Sequence, residues 1–588
     1  MRSLSLLLAI SLIWIIGLFS LGELLEVFEV SEAREGVVVR EILDYGTTLR
    51  SYLLPLRHGQ VVPSKPPLYH WITASICRLT GEFTEFELRL VSLLSAISII
   101  WLLYFFLCAF CLSRVALCSA AILGTSYGFL QMSLDGRVDM LFSLFVASSH
   151  LLLSKHLLQK PMEAPDSKTL YLIGILVTFS VLSKGPLGIV LFVLFGAPAI
   201  YYQGGFGLLK SWFINFQVLI TLLLSSLWYL TASLIGPEGV LSKHLIFENI
   251  SRFFGGGDIP TKPFWYYFVY IWTQFAPWSF IILIVYAVFY YQEKKLMPAF
   301  TKAEIGILRL FSLQLLTVIL FISLSSGKRR AYLLPLLPLL SANGAIILCR
   351  LVAEWLQDYL LIGEKAVRYI RLTSISLLIM SILISLFSFV ANTLNLDPRS
   401  FSGSLIKGFV SGDPFSFFML TLISACFLIM LILVSRFYGG LTKIFGLIIL
   451  INLQAYISVG GVFYLTKGES HGYKSFAEQV LNWQKDLETE NKSEIRLTFI
   501  KEVKDESFDT FFFYMNKRIY LHTVGFPETP GFYLARRSWI NSLSPDQRKF
   551  IREEFEGGRR KDTSEQYIVL FERIPNHLST QIDNEALT

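Results

Sequence analysis

Charge is scarce in this chain. Asp, Glu, Lys and Arg make up 16% of its 588 residues, against about a quarter in soluble globular proteins. Dense Lys/Arg tracts are also missing, which excludes the electrostatic footprint of a nucleic-acid binder. Cysteine is sparse, six in all, and the polar stretch after Thr466 has none, so no disulfide scaffold is encoded. Cys108-x-x-Cys111 has no second motif to complete a metal or redox site, and the pair reads as small apolar residues. No repeat of solenoid period occurs. What abounds is apolar: 54% of residues are hydrophobic and 15% aromatic, with a mean hydropathy of +0.56. These residues form uninterrupted runs rather than amphipathic stripes. The chain is therefore read as a mostly α, polytopic membrane protein and not as a string of soluble domains of about 150 residues.

Runs of about 20 apolar residues, each long enough to cross ~30 Å of hydrocarbon, lie near 5–22, 88–110, 114–131, 138–154, 169–183, 186–202, 212–235, 264–291, 305–325, 331–352, 371–391, 415–435 and 443–465. That pattern predicts about thirteen helices. Met1-Arg2 precedes the first run without a small-residue cleavage site, so the run is read as an uncleaved span. Short loops carrying Arg114, Lys155, Lys160, Lys168, Lys210, Lys302, Arg350 and Arg436 share one side with Arg2. The positive-inside rule makes that side cytoplasmic. The first long loop, 23–87, and the tail then lie outside. Two domains are expected: a transmembrane domain over 1–466 and a small extracytoplasmic α/β domain over 467–588. In the tail, strand-like pieces are read at Arg496–Ile500, Asp509–Tyr514, Gly531–Ala535 and Tyr567–Phe571, and helices at Ser475–Leu487 and Pro545–Phe555.

Polar residues that abut apolar spans are costly, so they are candidates for function. Six such groups fall on the predicted outer side: Glu32-Ala33-Arg34-Glu35, Ser64-Lys65-Pro66-Pro67, Asp135-Gly136-Arg137-Val138-Asp139, Ser183-Lys184-Gly185-Pro186, Glu248-Asn249-Ile250-Ser251-Arg252-Phe253 and Gly327-Lys328-Arg329-Arg330. Singly, each has a plain structural reading. Lys184 and Lys328 suit interfacial anchoring, Asp139 suits a helix start, and Glu248 and Arg252 suit a pair one helical turn apart. Glu32–Leu43 reads as an amphipathic loop helix with a solvated face. Jointly, cations and carboxylates on one membrane face suit an anionic lipid headgroup with an acid/base group beside it.

In their order along the chain these motifs resemble those of the GT-C membrane glycosyltransferases, in the superfamily of protein O-mannosyltransferases and lipid A aminoarabinose transferases. The likeness runs from Ser31-Glu32-Ala33-Arg34 and Arg40-Glu41-Ile42-Leu43 through Lys65-Pro66-Pro67-Leu68-Tyr69-His70-Trp71, Glu87-Leu88-Arg89-Leu90 and Val138-Asp139 to Leu182-Ser183-Lys184-Gly185-Pro186. It continues in Glu248 to Phe253, Pro263-Phe264-Trp265-Tyr266-Tyr267, Pro277-Trp278 and Gly327-Lys328 with Tyr332, and so covers about residues 1–350. The resemblance implies a GT-C fold with interfacial helices in the first outer loop. It also implies an inverting transfer of a sugar from a polyprenyl-phosphate donor to a lipid, glycan or protein hydroxyl on the outer face of the inner (plasma) membrane. Carried over residue by residue, Arg34, Lys65, Arg252 and Tyr332 would contact lipid phosphate, and Lys184 would join the same charged cavity. Glu248 and Lys328 are further candidates.

The family often has Asp-Glu in the first loop, where this chain has Ser31-Glu32. Glu32 is the expected catalytic base, with Asp139 as second carboxylate, so Glu32→Gln should stop transfer while sparing lipid binding. Aminoarabinose transferases can place zinc on an acidic residue before the Lys and on a His before the Arg-Phe pair. Ser64 and Asn249 stand there, and neither is a good ligand. No metal and no other cofactor is expected. Two readings compete with the enzyme: a transporter or flippase of polyprenyl-linked sugars, and a catalytically inactive scaffold. The lack of an inverted repeat and the one-sided placement of charge favour the enzyme.

Overall fold

The computed structural model describes residues 30–45, 49–57, 60–61, 65–279 apart from 252 and 257–260, 300–355, 473–491, 495–501, 509–515, 520–523, 526–557 and 568–574, with single positions at 11, 283 and between 372 and 394. The spans expected near 5–22, 415–435 and 443–465 lie wholly or almost wholly outside them, and those near 264–291 and 371–391 lie outside them in part.

The first long loop contributes helix α1 (Val30–Tyr45) and helix α2 (Leu68–Thr80). The spans follow as α3 (Glu85–Cys108), the bent pair α4 (Ser113–Gly124) and α5 (Tyr127–Leu134), α6 (Val138–Gln159), α7 (Ser167–Lys184), α8 (Leu187–Phe213) and α9 (Phe216–Ile235). After a shorter helix α10 (Tyr266–Gln274) come α11 (Lys302–Leu324) and, beyond a 3-10 turn at Arg330–Leu336, α12 (Leu337–Trp355). Among the described residues seven helices are long and apolar enough to cross a membrane, eight if the bent pair counts as one span.

Four of these helix starts carry polar side-chain caps, which satisfy orphan N–H groups of the first turn. Thr84 and Glu87 form a reciprocal capping box at α3, and Thr301 and Glu304 do the same at α11. Asp166 caps α7 and Asn215 caps α9. The α4–α5 pair bends by 62° at Thr125-Ser126, where a neighbouring segment takes up the freed polar groups. Trp278 Nε1 donates to Thr125 Oγ1 at 2.8 Å, and the Tyr127 N–H donates to the Ala276 carbonyl at 2.9 Å. A broken span is tolerated at membrane depth only with such partners.

Successive spans run in opposite directions, so charged helix ends sort onto two faces. Glu85, Asp139 and Lys184 end up on one face; Arg114, Lys160, Lys168, Lys210, Lys302 and Arg350 on the other. On the latter, Arg350 forms an ion pair at 2.7 Å with Glu304, the buried capping residue of α11.

The C-terminal body is a five-stranded mixed sheet under helix α13 (Tyr473–Asn491) and the short helix α14 (Asp509–Tyr514). Its strands are β1 (Leu497–Lys501), β2 (Tyr520–Thr523), β3 (Gly531–Arg536), β4 (Ile551–Gly557) and β5 (Ile568–Arg573). They lie in the order β2-β1-β3-β5-β4, with β1 parallel to both neighbours and the other pairs antiparallel. Two expectations are corrected here. Asp509–Tyr514 is helical rather than extended, because Phe511 and Phe512 fill the core beneath α13 while Phe513 packs on the first long loop. Pro545–Phe555 is helical only over Pro545–Arg548; from Ile551 the chain pairs with β5. Tertiary pairing overrides local preference in both segments.

Helix α1 also departs from the sequence reading. Its acidic residues form no solvated face: Glu32 and Glu35 are 2% and 3% exposed. It is an interior helix, wedged between the spans and the C-terminal body.

Candidate active site

Two carboxylates on the first turns of α1 anchor the site. One helical turn separates Glu32 from Glu35, so both face the spans. Glu32 is held from three directions. Arg89 of α3 donates Nε to Oε1 at 2.7 Å and Nη2 to Oε2 at 3.0 Å, and the Gly136 N–H donates to Oε1 at 2.8 Å. Only glycine admits that amide: a Cβ at Gly136 would lie 2.5 Å from Leu88 Cγ and 3.1 Å from Glu32 Oε1. Both carboxylate oxygens are thus engaged by donors from other elements.

Glu35 is engaged by an ion pair to Lys65 and by His70 Nε2 at 2.8 Å from Oε2. Burial alone would push its carboxyl up, but Lys65, His70 and Arg34 outweigh burial and hold it well below its ordinary value of 4.5. Burial likewise pulls the Lys65 ammonium down, against the attraction of Glu35 and Asp139. A carboxylate whose folded pKa lies below its unfolded one stabilises the fold above the unfolded value and loses that contribution as the pH falls toward the folded one. Glu35→Gln is therefore expected to unfold several degrees below wild type at pH 7. The gap should narrow once the pH drops below about 4.5. A gap independent of pH would assign the loss to packing instead.

Asp139, in the first turn of α6, joins Arg137 Nη2 at 3.0 Å and Lys184 Nζ at 2.5 Å. Lys184 ends α7, and its ammonium lies 4.9 Å from the Tyr332 ring centroid and 5.1 Å from that of Phe142, within cation–π range. Both rings also wall an apolar cavity of about 570 Å³, with Pro186, Phe253, Phe321 and Pro335 among its other lining residues. Lys65 lies within electrostatic reach of Asp139, Arg34 and Arg137. The arrangement is one cluster: Arg34, Lys65, Arg137 and Lys184 against Glu35 and Asp139, an excess of two positive charges with His70 left aside. It opens past Lys184 onto an apolar hollow. Such a pairing of half-buried cations and apolar wall accepts an anionic headgroup with a hydrocarbon chain.

Of the residues nominated from sequence, Arg34, Lys65, Asp139, Lys184 and Tyr332 gather in this cluster. Glu32 stands at its edge beside Arg89. Lys328 does not join: it is buried, and its ammonium donates to the Ser323 carbonyl at 2.8 Å and to the Ser325 carbonyl, stapling its own loop. Asn249 lines the apolar cavity. Arg252 and Ser64 lie outside the described residues, as does the Glu248 side chain. Sequence reasoning placed Glu35 and Arg137 in the polar groups of the outer side without giving either a role, and gave none to Arg89 or His70. Nothing local pairs Glu35 with His70, 35 residues away.

Known proteins share sequence and fold with this chain. Residues 64–235 match the dolichyl-phosphate-mannose-protein mannosyltransferase family model. The undecaprenyl phosphate-alpha-4-amino-4-deoxy-L-arabinose arabinosyl transferase 1 of Pseudomonas fluorescens (strain Pf0-1) is 24% identical over 354 residues, 58% of this chain and 56% of that protein. An uncharacterized protein of Aquifex aeolicus is 28% identical over 315 residues, 51% of this chain and 66% of the relative. The matched stretch thus spans little more than half of the first relative and about two thirds of the second. Among solved structures, ArnT from Cupriavidus metallidurans bound to undecaprenyl phosphate shares the fold with a TM-score of 0.68 at 17% identity, covering 97% of this chain and 98% of that one. The apo form of the same protein gives 0.66 at 16% identity, covering 96% of this chain and 97% of that one. Motif order, the family match over residues 64–235 and the shared whole-chain fold make this chain similar to the GT-C membrane glycosyltransferases.

Proposed function

We propose that this protein is an inverting glycosyltransferase that moves a sugar from a polyprenyl-phosphate donor to an envelope acceptor on the outer face of the inner membrane. The observation that carries the reading is the junction at Lys184, where a half-buried cluster with two excess positive charges meets an apolar cavity of about 570 Å³. The phosphate would sit on Lys65, Arg137, Lys184 and Arg34, and the first isoprene units would enter between Phe142 and Tyr332. The fold neighbour solved with undecaprenyl phosphate carries a ligand of this chemistry. The basic loops at the opposite helix ends support a cytoplasmic face there and an outer location for the site and the C-terminal body.

The reaction needs little covalent help from the protein. The acceptor oxygen attacks the anomeric carbon as the bond from that carbon to the phosphate oxygen breaks. Its electron pair stays on the phosphate, which gains one negative charge, and the hydroxyl proton passes to a carboxylate. Excess positive charge favours the more charged leaving phosphate over the bound donor, and that difference is what accelerates the step. Of the two nominated carboxylates, Asp139 suits the base role better. Its ion-pair partners Arg137 and Lys184 are cations that an arriving phosphate would claim, so binding the donor frees it. Glu32 is tied to Arg89 and a backbone amide, which the phosphate does not compete for, and its proposed role is to fasten α1.

The test is transfer from a radiolabelled polyprenyl-phosphate sugar by the purified protein in proteoliposomes, with mass spectrometry of envelope lipids and glycans to find the acceptor. Lys184→Ala is expected to weaken binding of polyprenyl phosphate about ten- to a hundredfold, the worth of one charge-assisted hydrogen bond. Unchanged affinity in that variant, or no transfer by wild type, would overturn the reading.

A further inference from the structure

Helix α1 is a wall shared by two cores. Val37 belongs to the hydrophobic cluster of the C-terminal body, with Phe476, Phe511 and Leu570. Conversely, Phe513 of that body lies in the cluster formed by Ala33, Val39, Leu88 and Val138 on the membrane side. At the crossing point the Phe513 ring rests on Gly36, where a Cβ would come within 2.5 Å of a ring carbon.

Polar contacts frame this apolar seat. Arg40 donates Nη2 to the Phe513 carbonyl at 3.0 Å, and Arg57 pairs with buried Asp509 at 3.3 Å. Glu85 accepts from both the Tyr514 hydroxyl at 3.0 Å and Lys474 Nζ at 3.1 Å. Glu85 opens α3 one turn before Arg89, the guanidinium that grips Glu32. The C-terminal body therefore holds both partners of the Glu32–Arg89 pair: α1 through Gly36 and Arg40, and the start of α3 through Glu85.

We infer that the C-terminal body is a positioning part of the transfer site, clamping α1 through Phe513 and the start of α3 through Tyr514 so that Arg34 and Glu35 meet Lys65 and Asp139. The inference rests on the proposed reading of that cluster as the site of transfer. A helix carrying a cation and a carboxylate of the site has to be fixed to a fraction of an ångström for the reacting groups to align, and misplacement by about 1 Å can cost a hundredfold in rate. The described membrane-side contacts of α1 cover one face; the body supplies the opposing one.

Gly36→Ala tests the clamp without touching a charged residue. The added methyl drives Phe513 and α1 apart, and Phe513→Leu in the same chain makes room for it. In the full-length protein, Gly36→Ala should lower turnover per folded molecule at least tenfold and raise amide hydrogen exchange along residues 30–45. The double variant should return both readouts to within about threefold of the wild-type values. Slower turnover restored by the second substitution is what a merely structural role would not produce. Wild-type exchange in Gly36→Ala, wild-type turnover despite altered exchange, or failure of Phe513→Leu to restore both would each overturn the clamp. If wild type itself transfers nothing, the proposed function fails and, with it, the positioning of that reaction. Exchange rescued in the double variant would then show that the seat at Gly36 exists without serving transfer.

Discussion

Replacing Asp139 by asparagine is expected to lower turnover about a thousandfold, the middle of the range for a lost general base, while polyprenyl phosphate binds more tightly than in wild type. The two effects have one cause and opposite signs. In the unliganded protein Asp139 is a counter-ion, at 2.5 Å from Lys184 and 3.0 Å from Arg137. A phosphate must compete with it for those cations. Asparagine keeps the shape and removes the charge, so the competition ends. With the carboxylate about 6 Å from the phosphate and an effective dielectric of about 20, the gain is on the order of a hundredfold in affinity. The chemical step suffers for the same reason, since asparagine has no lone pair basic enough to take the hydroxyl proton. Titration with polyprenyl phosphate and single-turnover kinetics on one preparation read both effects. Ligand-induced thermal stabilisation should also grow in the variant, because binding then rescues cations left without their carboxylate. A parallel loss of affinity and turnover would make Asp139 a structural counter-ion and leave the base to be sought elsewhere.

Glu32 is expected to fail differently. Its carboxylate joins α1 to α3 through Arg89 and to the turn before α6 through the Gly136 amide, and Arg89 is itself 5% exposed. Truncation to alanine strands a buried guanidinium, which typically costs about 3–5 kcal/mol. Glu32→Ala should therefore lower the unfolding temperature markedly and reduce polyprenyl phosphate binding and turnover together. Glu32→Gln, which keeps one carbonyl oxygen for Arg89, should show the same pattern at smaller amplitude. Removing the stranded charge as well, in Glu32→Gln/Arg89→Gln, should recover part of the lost stability. The residue pattern alone favoured a different outcome for Glu32→Gln, with transfer abolished and lipid binding intact. Thermal melts beside the transfer assay separate the two: an unchanged melt with no transfer restores Glu32 to the base role.

The contrast between these carboxylates shows where local information ends. Glu32 and Asp139 read alike in the sequence: each follows a polar turn, opens a helix and belongs to a motif of the same resemblance. Their partners distinguish them. Arg89 is 57 residues from Glu32, and the Gly136 amide is 104. No period or spacing encodes such a meeting, because it depends on which helices pack side by side. The aromatic run Asp509–Tyr514 teaches the same lesson. Alternation and β propensity suggest a strand, but the segment is wound into a helix because its phenylalanines have two cores to fill, one on each side.

By itself the sequence determined the polytopic helical class, the limits of most described spans to within a few residues, and the sorting of charge onto two helix ends. Those properties are local: an apolar run of fixed length crosses a bilayer wherever it occurs, and a lysine beside it has to end near water. Only the tertiary structure decided that α1 is an interior helix, that Glu35 and His70 belong to the cluster, that Lys328 staples its own loop, and that the C-terminal body grips the first long loop at Gly36. Each of these follows from pairing across dozens to hundreds of residues, where packing and charge neutralisation choose among partners that the sequence leaves equivalent.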